Sequence, residues 1–137
     1  MQGLSGKVVI VTGGAGGIGS AVCRGFAALG ARVAVFDLNA AAAEKLAQEL
    51  SATGVMARGY VVDIASAERV EAAVAEVESD LGPVDVLVNN AGWDHGGRFI
   101  DSDPAIWEKI IAINRVGPLN LHRAVLRRMH ARGHGRV

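Results

Sequence analysis

The chain has 137 residues, of which 50% are hydrophobic and 20% charged, and its 14 basic and 14 acidic side chains give a formal net charge of zero. This composition excludes an intrinsically disordered chain, and no apolar run approaches the roughly 18 residues of a membrane span. The single cysteine, Cys23, excludes a disulfide framework and favours a reducing compartment such as the cytoplasm. Residues 1–7 lack the small-residue cleavage site of a secretory signal, so we expect none there.

Hydrophobic patterning predicts strands and helices in alternation along the chain. In chain order the predicted elements are a strand at 7–12, a helix at 20–29, a strand at 32–37, a helix to about residue 50 capped by Asn39, a strand at 56–62, a helix after the cap Ser66, a strand at 84–89 and a helix after Asp103 and Pro104. The strands are apolar on both faces, which is typical of a parallel sheet buried between helix layers. The predicted fold class is therefore α/β with a doubly wound parallel sheet of the Rossmann type, of which the chain supplies the first four strand–helix units.

The end of the chain is basic, since residues 115–137 contain six arginines and no acid. The near-helical spacing of Arg123, Arg127, Arg128 and Arg132 is typical of a helix whose C-terminal dipole favours cations. Because this stretch has no aromatic residues for base stacking, we expect no nucleic-acid partner.

A glycine-rich turn joins the first strand to the first helix, with the sequence Thr-Gly-Gly-Ala-Gly-Gly-Ile-Gly at 12–19. Glycines at such a point permit a tight turn and let backbone N–H groups approach a pyrophosphate at the helix N-terminus. The alternative is a glycine-rich turn that binds no ligand. No Gly-Lys-Ser or Gly-Lys-Thr sequence occurs, which disfavours the phosphate-binding loop of nucleoside triphosphatases.

Acidic residues follow the second and third predicted strands. Asp37 can accept hydrogen bonds from an adenosine ribose and would repel a 2′-phosphate, and neither Leu38 nor Asn39 supplies a compensating cation. The sequence therefore favours NAD over NADP, although a surface acid in an ordinary turn is the alternative. Asp63 and Ile64 offer a polar atom and an apolar wall for an adenine, but Asp63 can equally be a turn residue.

These features together resemble the short-chain dehydrogenase/reductase family over the whole chain. The residues that carry the resemblance are Thr12 and Gly13, separated by three residues from Gly17-Ile18-Gly19, then Asp37, Asp63-Ile64 and Asn89-Asn90-Ala91-Gly92. Taken alone, the last of these segments is simply a good turn. The resemblance implies a nicotinamide cofactor, hydride transfer between a secondary alcohol and a ketone, and a homotetramer.

The resemblance also implies a set of cofactor-binding residues. These are Gly13, Gly17, Ile18, Gly19, Asp37, Leu38, Asp63, Ile64, Asn90, Ala91 and Gly92.

Asn114 has a physical argument of its own. Pro118 lies four residues later and has no N–H, so the Asn114 carbonyl loses its usual helical partner. The family places at this position an Asn whose backbone carbonyl holds a water of the proton relay, which implies a catalytic role for Asn114. The alternative is a simple proline kink.

The central chemistry of the family, a Ser and a Tyr-x3-Lys pair, is absent from these 137 residues. The only tyrosine, Tyr60, lies within a predicted strand with no Lys four residues on, and we interpret it as a sheet residue. We therefore expect residues 1–137 to be an NAD-binding domain followed in a complete enzyme by the catalytic segment, with Gly135 to Val137 entering the next strand. The alternative is a catalytically inactive dinucleotide-binding module.

The remaining candidate residues carry weaker signals. Trp93 follows the turn at the end of the fourth strand and either walls a ligand pocket or covers the sheet. The stretch 89–94 and the run Ala34 to Asn39 are also similar to dehydrogenases of hydroxycyclohexanecarboxyl-CoA, which suggests an alicyclic hydroxyacyl-CoA as substrate. Cys23 is expected in the core, and His130 and His134 lack a third ligand, so we expect no metal site.

Overall fold

The computed structural model describes residues 3–137. In chain order its elements are β1 (Val8–Thr12), α1 (Gly17–Ala28), β2 (Arg32–Asp37), α2 (Ala40–Ser51), β3 (Ala57–Val61), α3 (Ala67–Asp80), β4 (Val84–Val88), a 3-10 turn (Phe99–Asp101), α4 (Pro104–Ile111), a π-helical turn (Ala112–Val116) and α5 (Gly117–Arg132). The predicted alternation of strands and helices is confirmed, with element ends that differ from the prediction by a few residues. The largest difference is at α1, which begins at Gly17 rather than Ser20.

The four strands form one parallel sheet in the order β3-β2-β1-β4. The β-branched run of β1 is buried on both faces: Val8 and Ile10 pack into one hydrophobic cluster, and Val9 and Val11 into the other. The first cluster also contains buried residues of α3 and α5, and the second contains those of α1 and α2. This arrangement confirms the α/β fold class, a parallel sheet with helices on both faces.

The prediction that every strand is apolar on both faces is wrong for β3. This strand lies at the edge of the sheet, and its Val61 side chain is 63% exposed. Only Tyr60 of β3 is buried, where its ring packs edge-on against Phe36 and its hydroxyl donates to Asp80 at 3.0 Å. Tyr60 is thus a sheet residue, as the sequence predicts.

Three of the predicted helix caps are present. The side chains of Asn39, Ser66 and Asp103 each accept a hydrogen bond from a backbone N–H in the first turn of α2, α3 and α4. These bonds satisfy donors that have no partner within the helix, which explains why the predicted starts are accurate to about one residue.

The end of the chain returns to the outer edge of β4. The backbone of Arg136 donates to the Asp85 carbonyl at 3.0 Å and accepts from the Leu87 N–H at 2.9 Å, which makes a parallel bridge between Arg136 and Val86. Residues 135–137 therefore begin to pair with β4 where the sequence predicts entry to a fifth strand.

The helical run after Asp103 contains one irregular turn. In the π-helical turn the Gly117 N–H donates to the Ala112 carbonyl, five residues back. Pro118, which follows at once, cannot supply the N–H that the Asn114 carbonyl would accept in an α-helix. Gly117 is required here because a Cβ atom would lie 2.5 Å from the Ile64 side chain. The irregularity next to Pro118 thus takes the form of a widened helical turn.

The basic residues of α5 hold α3 in place. Arg128 pairs with Glu71 at 2.7 Å and with Glu78 at 3.2 Å, and Arg132 pairs with Glu78 at 3.2 Å. Arg132 also donates to the carbonyl of Val84 in β4. The hydrogen bond from Arg128 lowers the pKa of Glu71. These contacts place Arg128 and Arg132 on the face of α5 that packs against α3. None of the helices in residues 3–137 combines the length and the hydropathy that a membrane-spanning helix needs.

We predict that Glu78→Gln lowers the free energy of unfolding by about 1–3 kcal/mol, between the values typical of exposed and buried ion pairs. The change leaves two arginines, each about a quarter exposed at 23% and 24%, without their shared carboxylate. Urea unfolding followed by circular dichroism measures the loss. Glu49→Gln is the matched control, because Glu49 pairs with Arg24 where both side chains are 50% exposed, and it should leave stability unchanged. Equal effects of the two changes would contradict a structural role for Glu78.

Candidate functional site

A cleft of about 610 Å³ opens at the carboxyl ends of the strands. Every residue predicted to bind the cofactor lines this cleft: Gly13, Gly17, Ile18, Gly19, Asp37, Leu38, Asp63, Ile64, Asn90, Ala91 and Gly92. The other lining residues are Gly16, Phe36, Val62, Trp93, Lys109 and Ile113. The structure thus brings together residues from four separate loops, at the edge of the sheet where α/β proteins bind ligands.

The glycine turn forms the floor of the cleft, and its glycines are needed for close approach. Gly13 has a φ of +60°, and a Cβ atom there would lie 2.9 Å from the Ala91 Cα. A Cβ on Gly19 would lie 2.1 Å from the Gly13 carbonyl oxygen and 2.8 Å from the Asn90 amide nitrogen. Gly17 differs, since no atom lies within 4 Å of its Cβ position and it faces open space. Gly13 and Gly19 therefore shape the fold of the turn, whereas Gly17 leaves room in the cleft.

Thr12 and Asn90 tie this turn to the segment after β4. The buried Thr12 hydroxyl accepts from the backbone N–H groups of Asn90 and Ala91, both at 3.0 Å. In return the Asn90 side-chain amide donates to the carbonyls of Thr12 at 3.0 Å and Gly13 at 3.2 Å. The side chain of Asn90 therefore holds the backbone, and its contribution to the cleft is structural.

Asp37 lies at the end of β2 beside the glycine turn. One carboxylate oxygen accepts from the Ala15 N–H and the other from the Asn39 N–H, each at 3.0 Å. A carboxylate oxygen has two lone pairs, so each keeps the capacity to accept a second bond from a ligand hydroxyl. The lining residues next to Asp37 carry no positive charge to offset it.

The N-terminus of α1 differs from those of α2, α3 and α4. In the described part of the chain no side chain caps α1 at Gly16, and its first turn contains no acid. The N–H groups at such a helix start are donors for an anion, and the helix dipole adds to the attraction. Because α1 begins at the cleft, the backbone N–H groups of its first turn are placed to bind a ligand phosphate.

Asp63 and Ile64 follow β3 on the same side of the cleft as Asp37. Asp63 accepts the Ala65 N–H at 2.9 Å, which is the turn role that the sequence left open. Asn120 donates to the Ile64 carbonyl at 2.9 Å, and the Ile64 side chain is only 8% exposed. Ile64 is thus anchored from behind by α5 while its outer surface lines the cleft.

Asn114 lies in the π-helical turn and is not among the described residues that line the cleft. Its side-chain oxygen accepts the Trp93 N–H and its side-chain nitrogen donates to the Trp93 carbonyl, both at 2.8 Å. The amide therefore grips both backbone groups of Trp93, one residue beyond Gly92. This contact places the helical run against the rim of the cleft.

Trp93 and Lys109 form the opposite rim. The Lys109 ammonium lies 4.0 Å from the centre of the Trp93 ring. The ring of His95 also stacks against the Trp93 ring, with ring centres 6.1 Å apart. Of the two roles left open for Trp93, the structure supports a wall of the cleft. Sequence reasoning missed Lys109, although its spacing of four residues from Ile113 places both on one helix face.

The other polar candidates lie away from the cleft. Cys23 is fully buried beneath the glycine turn, and burial raises the pKa of its thiol to about 12. Burial also raises the pKa of the Tyr60 hydroxyl, with a further contribution from Asp80. Among residues 3–137 no group of three or more possible metal ligands occurs, and the nearest partner of His134 is Asp85 at 3.6 Å.

A family model described as short chain dehydrogenase matches residues 7–137. The chain belongs to the short-chain dehydrogenase/reductase family. D-threitol dehydrogenase of Mycolicibacterium smegmatis is 40% identical over 134 residues, which cover 98% of this chain and 52% of that protein. Galactitol 2-dehydrogenase (L-tagatose-forming) of Cereibacter sphaeroides is 42% identical over the same shares of the two chains. The chain thus spans about half the length of these short-chain dehydrogenases.

Solved structures of the family share the fold. The crystal structure of NAD+-bound xylitol dehydrogenase has a TM-score of 0.93 at 35% identity, covering 98% of this chain and 52% of that one. A metagenomic short-chain oxidoreductase in complex with NADP has a TM-score of 0.90 at 36% identity, covering 96% of this chain and 60% of that one. These two structures were solved with different nicotinamide cofactors, NAD+ in the first and NADP in the second.

We predict that Gly19→Ala destabilises the fold by about 2–4 kcal/mol, because the new methyl group would overlap the Gly13 carbonyl and force the turn apart. Thermal unfolding followed by circular dichroism gives the change in midpoint. Gly17→Ala is the matched control, since its methyl group meets open space and the residue already lies in α1. Similar midpoints for the two variants would show that the turn is not close-packed at Gly19.

We also predict that Cys23 resists thiol reagents in the folded chain, because its thiol is fully buried and its pKa of about 12 leaves almost no thiolate at neutral pH. Labelling with an aromatic disulfide reagent should be rapid in urea and much slower in water. The rate in water then reports the opening of the core beneath the glycine turn. Rapid stoichiometric labelling without denaturant would contradict the packing described above.

Proposed function

We propose that this chain is the cofactor-binding part of an NAD-dependent oxidoreductase that interconverts a secondary alcohol and a ketone by hydride transfer. The observation that carries the proposal is the cleft, which combines the uncapped start of α1 with the Asp37 carboxylate at the end of β2. The family relatives named above are dehydrogenases of polyols, which supports chemistry at a secondary hydroxyl.

Asp37 supports the choice of NAD over NADP. Its carboxylate is already held by two backbone N–H groups, so it is fixed in place and can accept ribose hydroxyls. A 2′-phosphate beside it would suffer like-charge repulsion, and neither Leu38 nor Asn39 neutralises it. The α1 N–H groups would hold the pyrophosphate, with Gly17 leaving space for it.

Asn114 and Pro118 support a role at the reacting end of the cleft. When bound, the nicotinamide ring accepts or supplies the hydride. The side chain of Asn114 is occupied by Trp93, so the group that we assign to proton transfer is its backbone carbonyl, which has no α-helical donor at Pro118. This carbonyl would hold a water molecule through which the substrate proton leaves.

The Ser and the Tyr-x3-Lys pair of the family do not occur among these 137 residues, so we assign catalysis to the full-length protein. The 137-residue chain on its own should bind the cofactor without turnover. A dinucleotide-binding module without activity is the second candidate, and it is supported by the same absence. Sequencing about 30 codons past Val137 discriminates between the enzyme and the inactive module, since βαβ units recur at roughly that spacing. A Ser followed by Tyr-x3-Lys there would support the enzyme, and a stop codon at Val137 would contradict it.

Two classes of compound are candidates for the substrate of the full-length protein. The polyol dehydrogenases among the relatives support a sugar alcohol, whereas the sequence around Trp93 supports an alicyclic hydroxyacyl-CoA. Initial rates of NADH formation by the full-length protein, measured with D-threitol, galactitol and a hydroxycyclohexanecarboxyl-CoA, decide between them. Activity with none of the three would leave the cofactor proposal standing and exclude both substrate assignments.

We further propose a homo-oligomer, a tetramer in the family pattern, that works in the cytoplasm. Large apolar side chains on α4 and α5 support the oligomer, since Ile111, Leu119 and Leu126 are 53%, 57% and 46% exposed. Light scattering on the full-length protein gives the number of subunits, and a monomer at micromolar concentration would contradict the proposal.

We predict that NADH raises the melting temperature of the 137-residue chain more than NADPH does at equal concentration. A ligand at 100 times its Kd adds about 2.7 kcal/mol of stability, which a thermal-shift assay resolves. Asp37→Asn removes the charge while keeping an oxygen that accepts a backbone N–H. It should therefore reduce the difference between the melting-temperature shifts produced by NADH and NADPH. No shift with either cofactor would contradict dinucleotide binding, and a larger shift with NADPH would contradict the assignment of NAD.

A further inference from the structure

Charges are distributed unevenly along the cleft. The acids Asp37 and Asp63 follow β2 and β3, on one side of the glycine turn that follows β1. Lys109 is the only cation among the described lining residues, and it lies beside Trp93 on the opposite side, beyond β4. Because neighbouring parallel strands lie about 4.8 Å apart, β2 and β4 are separated by roughly 10 Å across β1. The cleft therefore has an acidic end and a basic end.

The Lys109 ammonium is held without an acidic partner. It lies 4.0 Å from the centre of the Trp93 ring, and it forms no salt bridge within residues 3–137. The nearest acid along the Trp93 loop, Asp94, accepts the His95 N–H at 2.7 Å and does not line the cleft. An aromatic ring attracts the ammonium but leaves its charge uncompensated. Lys109 therefore keeps N–H donors and a positive charge for an anion.

The position of this cation is set by the backbone. Asn114 binds both the N–H and the carbonyl of Trp93 at 2.8 Å, so the backbone of Trp93 is anchored to the helical run that also carries Lys109. Ile113 lies one helical turn after Lys109 and lines the cleft with it. A charged group fixed in this way on a helix loses less conformational freedom when it binds a ligand than a lysine on a loop would.

We propose that Lys109, held over Trp93, is an anion-binding specificity residue that selects secondary alcohols or ketones carrying a carboxylate or a comparable anionic group. The inference rests on the proposed function, because the acidic end of the cleft is assigned to the adenosine of the cofactor. The basic end then faces the substrate. This narrows the substrate class from neutral polyols to hydroxy acids and other anionic alcohols.

D-tartrate and D-threitol form a matched pair of probes, since both have a four-carbon chain with two secondary hydroxyls and only tartrate carries carboxylates. The 137-residue chain with Trp107→Phe leaves Trp93 as the single tryptophan, and the new ring keeps an aromatic partner for Phe99. Affinity for NAD+ is measured first by thermal shift. Each probe is then titrated at saturating NAD+ and constant ionic strength, and Trp93 emission reports binding.

We expect tartrate to bind about tenfold more tightly than threitol, and Lys109→Met to remove this preference, in line with the strength of a charge-assisted hydrogen bond. Lys109→Arg is the control that keeps the charge and should retain most of the preference. Lys109→Met should leave NAD+ affinity unchanged within about twofold, since the lysine lies at the far end from Asp37.

Three outcomes would overturn the proposal. The first is that the chain with Lys109 unchanged binds the two probes equally or binds neither. The second is tartrate binding that survives Lys109→Met. The third is a parallel loss of NAD+ and tartrate affinity, which would assign Lys109 to the cofactor. Failure to bind NAD+ would instead contradict the proposed function. In that case the tartrate titration without cofactor still tests Lys109 by its dependence on the lysine charge.

Discussion

The structure depends on a close contact between two backbone segments, the glycine turn after β1 and the segment after β4. Gly13 and Gly19 have no room for a Cβ atom, so the start of α1 can approach Ala91 and Asn90 more closely than any other residue type would allow. Hydrogen bonds between Thr12 and Asn90 then hold the two segments together. Because this contact lies at the carboxyl ends of β1 and β4, it forms the floor of the cleft.

A second constraint comes from Pro118 and the π-helical turn before it. The missing N–H of Pro118 and the close approach of Gly117 to Ile64 together favour a widened turn at this point of the helical run. Asn114 lies in that turn and holds Trp93 at the rim of the cleft. An irregularity in helical hydrogen bonding thus positions residues of both α4 and the loop after β4.

Charged side chains have two separate functions in this fold. Glu78 binds Arg128 and Arg132 and joins α3 to α5, so two of the four arginines of the last helix are used in packing. In the cleft, by contrast, Asp37 and Lys109 lie at opposite ends, and among residues 3–137 neither forms a salt bridge. Both charges are therefore available to interact with a ligand, and their separation makes one end of the cleft acidic and the other basic.

The sequence by itself determined the fold class and most of the cleft. Unbroken β-branched runs such as Val8 to Val11 require burial on both faces, the caps Asn39 and Ser66 mark helix starts, and glycines between a strand and a helix mark a close approach of backbone. All of these signals are local, because they arise from the conformational preferences of neighbouring residues.

Only the tertiary structure decided which distant residues meet. The edge position of β3 exposes Val61, and this position is set by pairing between strands that are distant in the chain. The grip of Asn114 on Trp93 and the placement of Lys109 over the indole ring join residues 21 and 16 positions apart in the chain. Such contacts depend on how the helical run after β4 packs against the sheet, which is set by the whole core and not by the residues that meet.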